Sequence, residues 1–548
     1  MSRHAGTASL AIGVCLALAW LQPFAPGPSP NVVPWLSSCL LALLAFALAR
    51  PAWPTRLQLL LLAAAVGFVV LRPATGALDR AGFAGAVVLV VLAYSIARGR
   101  GPGGATLVPA IAGAWAGAAL VSAAMALLQY FGLADSLHPW VYAASPGEAL
   151  GNLRQRNQFS CFTTIGLAAV LWLATREDTR WVRWIPAVLL LAVANAASTS
   201  RTGLLQWVAL LLLVALWRAP NRRGNLALCG IALAMYGLAT LLLPWLLELA
   251  TGTSAATLAA RLATDLGCSS RKVLWRNVLE LIALRPFAGW GWGELDYAHY
   301  VHLYGVDARF CDILDNGHNL PLHLAVELGL PFAVLVTAGA AWWVLRARPW
   351  VAPDAQRQLA WAVLMALATH SLVEYPLWYG PFQIALGLAL GLLVDALQGA
   401  PVRQAPSRLR HAWVAAGFVL VAYTGWDYAR VSQVYVPPEQ RLSWWADDAL
   451  EHARKSRLFA GQARFAELTM TPVTRENADV ADALGREVLH YSPEPRVVER
   501  VIEAATMQGR LDEAVQHLAR YRAAFPQDYE RWRAEQRAAP GNPAPRTF

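Results

Sequence analysis

Long apolar runs recur along the chain, each closed by a short polar segment. Runs of roughly 17–25 residues are long enough to cross about 30 Å of hydrocarbon as helices. The pattern predicts about thirteen such spans, near 8–23, 34–49, 56–72, 81–97, 106–131, 158–174, 184–198, 203–217, 225–247, 319–345, 357–376, 380–398 and 411–425. The runs are continuous; a membrane β-barrel would instead alternate apolar and polar residues in segments of about ten. The expected fold is therefore all-α, a polytopic integral membrane protein. The first run, Ala8 to Leu21, has no convincing small-residue cleavage site after it and reads as a retained span.

From about Asp427 the pattern changes: charges become dense and apolar residues recur at helical spacing. The stretch Val497 to Asp528 reads as two helices joined by Gly509-Arg510, with Pro526 after the second. It resembles one tetratricopeptide hairpin, the alternative being a generic helical tail. One hairpin cannot bury a core alone, so the helices from about 439 onward are expected to pack with it. Four regions result: N-terminal transmembrane helices (1–247), a large loop with its own helix (248–318), C-terminal transmembrane helices (319–426) and a helical region (427–548).

Composition fits this picture. Of 548 residues, 57% are hydrophobic and 15% charged, against about 25% charged in soluble domains. Mean hydropathy is +0.40. The net charge of +10 is nearly all Arg, spread over short loops with no concentrated patch, which argues against nucleic acid. The Arg residues fall in alternate loops: Arg50 and Arg56; Arg98 and Arg100; Arg176, Arg180 and Arg183; Arg218, Arg222 and Arg223; Arg346, Arg348 and Arg357; Arg403, Arg408 and Arg410. By the positive-inside rule these six loops are cytoplasmic, as is the N-terminus, and the C-terminal tail is external. The long loops near 132–157 and 248–318 are then external. In the second, Ser270 to Leu284 has helical spacing, with Val273, Leu274, Val278, Leu281 and Ile282 on one side, and is expected to lie along the membrane surface. Cys15, Cys39, Cys161 and Cys229 fall in apolar spans as small hydrophobes. Cys268 and Cys311 share the long external loop; in an oxidising compartment they could pair, although spacing does not show proximity. Metal-ligand spacing and a Gly-rich nucleotide loop are both absent.

The unusual polar residues converge on the external side in five stretches: GNLRQRNQF (151–159), STSRTGLL (198–205), SSRKVLWRNVLELIALRPFAGWGWG (269–293), His318 and HSLVEYPLW (370–378). Arg201 sits in a tight turn, where it either snorkels to lipid phosphates or forms a bidentate fork for an anionic headgroup. Arg271, Lys272 and Arg276 occupy successive helical positions; they form either a solvated face or, with Arg271 near a helix N-terminus, an anion site. Asp315-Asn316 reads as a cap for the apolar run that His318 starts. His318 is either a polar residue at a membrane edge or a general base, with Asp315 one turn earlier able to orient its ring. His323 is placed on another face, as packing. Glu327, within the span, needs a partner and is read as helix–helix bonding. Trp290 and Trp292 alternate with Gly289, Gly291 and Gly293. Their indoles either stack on sugars or join the interfacial belt, the default for a chain with 24 Trp.

The ordered set of motifs resembles the superfamily of O-antigen ligases and polymerases: an Arg in an SRTG turn, then R-x-x-x-W with P-x-x-G-W-G-W-G, then D-N-x-H-N with E-x-G-x-P. GNLRQRNQF, HSLVEYPLWYGPF and the C-terminal helices are similar to its protein-glycosylating, PglL-type branch. That resemblance implies transfer of a preassembled oligosaccharide from undecaprenyl diphosphate to Ser or Thr hydroxyls of pilin or other periplasmic proteins. It implies a bacterial inner-membrane location and no metal or other cofactor. Position by position, Arg201 and Arg271 match phosphate-binding arginines and His318 an essential histidine, with Arg276 a further diphosphate candidate. Gln155, Asn157, His370, Glu374 and Tyr375 match branch motifs. With Trp290, Trp292 and Asp315 they are the candidate substrate contacts. Gln158 stands where the family often has His. The rivals are a lipopolysaccharide O-antigen ligase or chain polymerase and, from another class, a lipid-linked glycan flippase. A transporter would place polar residues near the bilayer midplane within repeated halves.

Overall fold

Each expected span coincides with helix in the computed structural model, which describes residues 3–24, 32–53, 56–71, 77–101, 106–177, 180–218, 222–254, 267–305, 309–398 and 404–538. Arg403 and positions 255–266 of the long loop lie outside these. The helices are α1 (Arg3–Leu21), α2 (Val32–Leu48), α3 (Arg56–Leu71), α4 (Ala77–Arg98), α5 (Val108–Tyr130), α6 (Arg156–Ala174), α7 (Ile185–Ala197), α8 (Arg201–Leu216) and α9 (Arg222–Thr251). Then come α10 (Arg271–Leu284), α11 (Leu295–Val301), α12 (Leu320–Leu328), α13 (Leu330–Ala347), α14 (Ala355–Ser371), α15 (Gly380–Gln398) and α16 (Ser407–Ser432). The C-terminal set is α17 (Ala449–Arg454), α18 (Ala460–Met470), α19 (Ala478–Tyr491), α20 (Pro495–Met507), α21 (Leu511–Ala524) and α22 (Pro526–Ala538). No strand occurs among the described residues, only isolated bridges such as Arg50 with Arg100. Among the described residues, five helical segments are long and apolar enough to cross a membrane: Ala81–Arg98, Val108–Tyr130, Arg156–Ala174, Arg222–Thr251 and Leu330–Val351. Shorter apolar helices accompany them. This is a helical, multi-pass membrane protein.

Two expectations change. The tenth span, expected unbroken over 319–345, is two helices split at Gly329, which adopts φ 89°. The eleventh stops at Ser371 rather than 376.

The chain divides into two compact units. The first comprises Met1–Ala65, Ala84–Thr264 and Ala338–Gly425. Its core runs through α1, α5, α6, α14 and α15, where Trp20 stacks on Phe162 at 4.0 Å and meets Phe382 edge-on at 4.9 Å. Small residues let backbones approach, as is usual between membrane helices. A Cβ on Gly166 of α6 would lie 2.3 Å from the Ala119 Cβ of α5. On α15, Cβ atoms at Gly387 and Gly391 would meet the Val90 and Tyr94 carbonyl oxygens of α4 at 2.2 and 2.6 Å. Outward faces stay apolar, as at Leu212 and Leu241, which suits lipid and would be unusual in water.

The second unit comprises Val66–Phe83, Asp265–Thr337 and Trp426–Phe548. The expected hairpin is present as α20 and α21, joined through Gly509 at φ 73°. Val497, Val498, Val501 and Ile502 of α20 share a buried cluster with Phe465, Leu468, Val488, Leu489 and Tyr521. The end of α16 is tied into this unit by Asp427, which is fully buried. Its carboxylate lies 2.5 Å from Arg430 and accepts from the Ser456 hydroxyl at 2.9 Å and the Leu458 N–H at 3.0 Å. Removing one member of a buried ion pair leaves an uncompensated charge and costs about 3–5 kcal/mol. Asp427→Ala is therefore expected to lower the thermal unfolding midpoint of the purified protein sharply, whereas removing the exposed Arg454–Glu451 pair changes it little. Equal midpoints for the two variants would contradict this.

Candidate active site

Each unit gathers part of the polar set. In the first unit, Ser200 is the N-cap of α8, and its hydroxyl accepts from the Gly203 N–H at 3.3 Å. Arg201 is the first helical residue and is exposed. Gly203 has no alternative: a Cβ there would sit 1.7 Å from Ser160 Oγ and 2.6 Å from Asn195 Oδ1. The SRTG turn is thus a cap, a presented cation and a close helix crossing in four residues.

Asn157 joins this turn to two distant stretches. Its Oδ1 accepts from the Ser200 hydroxyl at 2.8 Å, and its Nδ2 donates to Glu374 Oε1 at 2.7 Å. The bonds fix which way the amide faces. Residues 157, 200 and 374 are thereby joined in one hydrogen-bonded chain beside Arg201. Gln155 caps α6 by accepting from the Gln158 N–H at 2.7 Å. The loop ahead of α6 is pinned by Gln129, whose amide bonds Tyr142 and Gly151 carbonyls and the Leu150 and Gly151 N–H groups. Asn152 holds it too, donating to the Leu21 and Trp140 carbonyls. Tyr375 is half-buried and stacks on Tyr379. His370, near the end of α14, is 0% exposed, with its ring edge-on to Phe382.

In the second unit, Ser270 caps α10, accepting from the Val273 N–H at 3.4 Å, and Arg271 is again the first helical residue. Of the predicted side, Leu274, Val278, Leu281 and Ile282 are buried and Val273 is half-buried, and Arg276 is exposed. A disulfide joins Cys268 to Cys311, with Cα atoms 5.4 Å apart. Asn277 Oδ1 accepts from the Phe310 N–H at 2.7 Å, and the Trp275 indole donates to the Gly317 carbonyl at 3.2 Å. Three links, one just before α10 and two on it, therefore hold the segment that leads to His318.

The cap at this point differs from expectation. Asn319, not Asp315 or Asn316, is the N-cap of α12, its Oδ1 accepting from Leu322 N–H at 3.0 Å. Asn316 instead accepts from the His318 N–H at 2.9 Å, closing an Asx turn. His318 lies just outside the helix in the left-handed region, at φ 46°. Such a backbone is costly for a residue with a Cβ and persists only where neighbours over-determine it. Because residues 317 and 318 fold back, His323 does not face away from them as helical spacing suggested. Its Nδ1 accepts from the Gly317 N–H at 3.4 Å, and its Nε2 lies 3.4 Å from Glu327. Asp315 stays exposed at its surface, yet surrounding protein strips water from it and raises its carboxyl above the usual range, while the nearby His318 charge pulls it down.

The glycines of the GWGWG stretch allow a backbone crossing. Trp290 and Gly291 donate N–H groups to the Val326 and Glu327 carbonyls at 2.8 and 3.0 Å, and Leu330 N–H donates to Pro286 at 2.8 Å. A Cβ on Gly289 would meet the Glu327 carbonyl oxygen at 2.3 Å; one on Gly329 would meet that of Phe287 at 2.2 Å. The Trp290 indole donates to the Leu281 carbonyl at 2.9 Å, under the Arg285 guanidinium. Trp292 is nearly buried against Phe83 and His323. Both rings are engaged in holding the loop. No group of metal-ligating side chains occurs among the described residues. Sequence reading passed over Ser200, Ser270, Gln129 and Trp275; the two serines carried a usable signal, Ser before a helical run.

Family comparisons converge on these stretches. Residues 186–337 match the model described as O-Antigen ligase, 149–174 that described as Protein glycosylation ligase, and 358–539 that described as Virulence factor membrane-bound polymerase, C-terminal. The resemblance read from the motifs, to the O-antigen ligases and their protein-glycosylating branch, is thus met along the chain. Among individual proteins, the General O-oligosaccharyltransferase of Acinetobacter baylyi (strain ATCC 33305 / BD413 / ADP1) is 26% identical, over 76% of this chain and 75% of its own.

Overpacking a tight contact costs about 1–3 kcal/mol, so Gly203→Ala should lower the thermal midpoint. Gly113→Ala in α5, where nothing lies within 4 Å of the added Cβ, should not. A Gly203→Ala midpoint equal to wild type would show that α8 can withdraw from α6.

Proposed function

We propose that this protein is an O-oligosaccharyltransferase. It transfers a preassembled glycan en bloc from undecaprenyl diphosphate to Ser or Thr hydroxyls of a periplasmic protein such as pilin. The observation that carries the reading is the relative named as a general O-oligosaccharyltransferase, aligned over three-quarters of both chains. The protein glycosylation ligase match, which spans the Asn157 stretch, agrees with it. The proposed setting is a bacterial inner membrane crossed about thirteen times, with the reacting groups and the tetratricopeptide-like C-terminal helices in the periplasm. A Cys268–Cys311 disulfide suits that oxidising compartment.

The acceptor hydroxyl is a weak nucleophile. His318 is assigned as its general base: the imidazole takes the hydroxyl proton as the oxygen attacks the anomeric carbon. The bond from that carbon to the phosphate oxygen breaks, the configuration inverts, and undecaprenyl diphosphate leaves with the electron pair. Arg201, Arg271 and Arg276 are assigned to the phosphate charge. Arg201 and Arg271 each head a helix, where the dipole also favours an anion. Arginines in this role make a divalent ion unnecessary.

A positioned base typically contributes about 10²–10⁴-fold. His318→Ala, at unchanged membrane abundance, should nearly abolish glycosylation of a co-expressed pilin, read as intact mass. Near-wild-type glycosylation would end the base assignment. If planar bidentate contact matters, Arg201→Lys should also be strongly impaired; a silent Lys substitution would favour simple snorkelling to lipid. The match to O-antigen ligases supports lipopolysaccharide as the second reading. In a deletion strain, loss of glycan from pilin with intact lipopolysaccharide supports the proposal; the reverse supports the ligase.

A further inference from the structure

We infer that His323 and Glu327 form a positioning pair that sets the backbone of His318, an inference that rests on the role proposed above for His318. The left-handed turn at His318 is held from three sides: Asn316 takes the His318 N–H, Trp275 donates to the Gly317 carbonyl, and His323 takes the Gly317 N–H. The first two contacts both fix the peptide plane between Gly317 and His318. The third fixes the peptide between Asn316 and Gly317, and it depends on a tautomer. The Gly317 N–H is a donor, so His323 Nδ1 must be unprotonated and the proton of the neutral ring must sit on Nε2. Nε2 is the nitrogen that faces the Glu327 carboxylate, 3.4 Å away and one helical turn on. Glu327 therefore selects the tautomer that lets Nδ1 accept. Without it, the Nδ1–H form competes and turns an acceptor into a donor aimed at a donor.

The surroundings leave this ring little freedom. His323 and Glu327 are both nearly fully buried, and Trp292 packs edge-on against the imidazole. The Glu327 main chain is fixed as well, its carbonyl accepting from Gly291. The GWGWG crossing thus holds the helix end that holds the carboxylate, which orients the ring that holds the turn bearing His318. Neither residue is assigned contact with substrate.

The test compares His323→Leu, which removes the acceptor, with His323→Asn, which can keep one near the Nδ1 position. It also compares Glu327→Leu with Glu327→Gln, whose carboxamide oxygen can still accept from Nε2–H. Two readouts are taken on full-length purified protein: hydrogen exchange of the segment 313–319, and kcat and KM for transfer from undecaprenyl-diphosphate-linked oligosaccharide to a purified acceptor protein. Misplacing a catalytic group by about 1 Å can cost about 100-fold. The leucine variants should lose protection at 313–319 and drop kcat by about 10–100-fold with little change in KM, while Asn and Gln recover much of both. Leucine variants with wild-type protection overturn the pairing. Lost protection with kcat within about twofold of wild type overturns its importance for His318. If wild type transfers no glycan, the proposed function fails, and the exchange data still decide the pairing. Should His323→Leu not accumulate, the Glu327 pair carries the comparison.

Discussion

The backbone crossing at Gly289 and Gly329 is the constraint on which the His318 region depends. A continuous apolar helix from 319 to 345 would leave the Glu327 carbonyl without an in-helix donor, because Pro331 has no N–H, and would place His318 at the head of an ordinary span. Instead the run breaks at Gly329, and the freed carbonyls of Val326 and Glu327 are met by Trp290 and Gly291. Unpaired backbone groups at membrane depth cost several kcal/mol each, so a break of this kind needs a partner strand of backbone. The glycines supply it because no side chain fits: each hypothetical Cβ lies within 2.3 Å of a carbonyl oxygen. The break creates the short helix α12, and its turn toward α10 brings Asn316, Gly317 and His318 under the control of side chains.

The two arginines most distinctive in the sequence share one local design. Ser200-Arg201 and Ser270-Arg271 each place a serine at the cap and an arginine at the first helical position. The cap satisfies one free N–H and leaves others at the helix head, so cation and dipole add at one spot. What separates the two is how each is braced. The first leans on the Asn157 bridge and the glycine crossing with α6. The second is braced by a disulfide, Asn277 and Trp275.

Much of this is legible in the sequence. Continuous apolar runs anticipated the apolar helices. The α20–α21 hairpin and the buried face of α10 followed from spacing alone. What failed was local and physical. Hydropathy does not register the break that Gly329 and Pro331 make together, so an apolar run alone reads as one unbroken tenth span. Asp315-Asn316 and Asn319 offer similar capping chemistry, and only the fold-back at His318 decides for Asn319. Helical spacing put His323 away from His318 because it assumed that both lie on one helix. The partners of Asn157 lie 43 and 217 residues away, a distance that no single sequence encodes.

The most direct measurement is transfer by the purified protein, in detergent and chelator, from an undecaprenyl-diphosphate-linked oligosaccharide to a purified periplasmic acceptor protein. Site-resolved mass spectrometry of the product reads the outcome. The expected result is an intact glycan block on a Ser or Thr oxygen, dependent on His318 and independent of added divalent ions. Consumption of donor only when lipid A-core replaces the protein acceptor, or no transfer without a divalent ion, would contradict it.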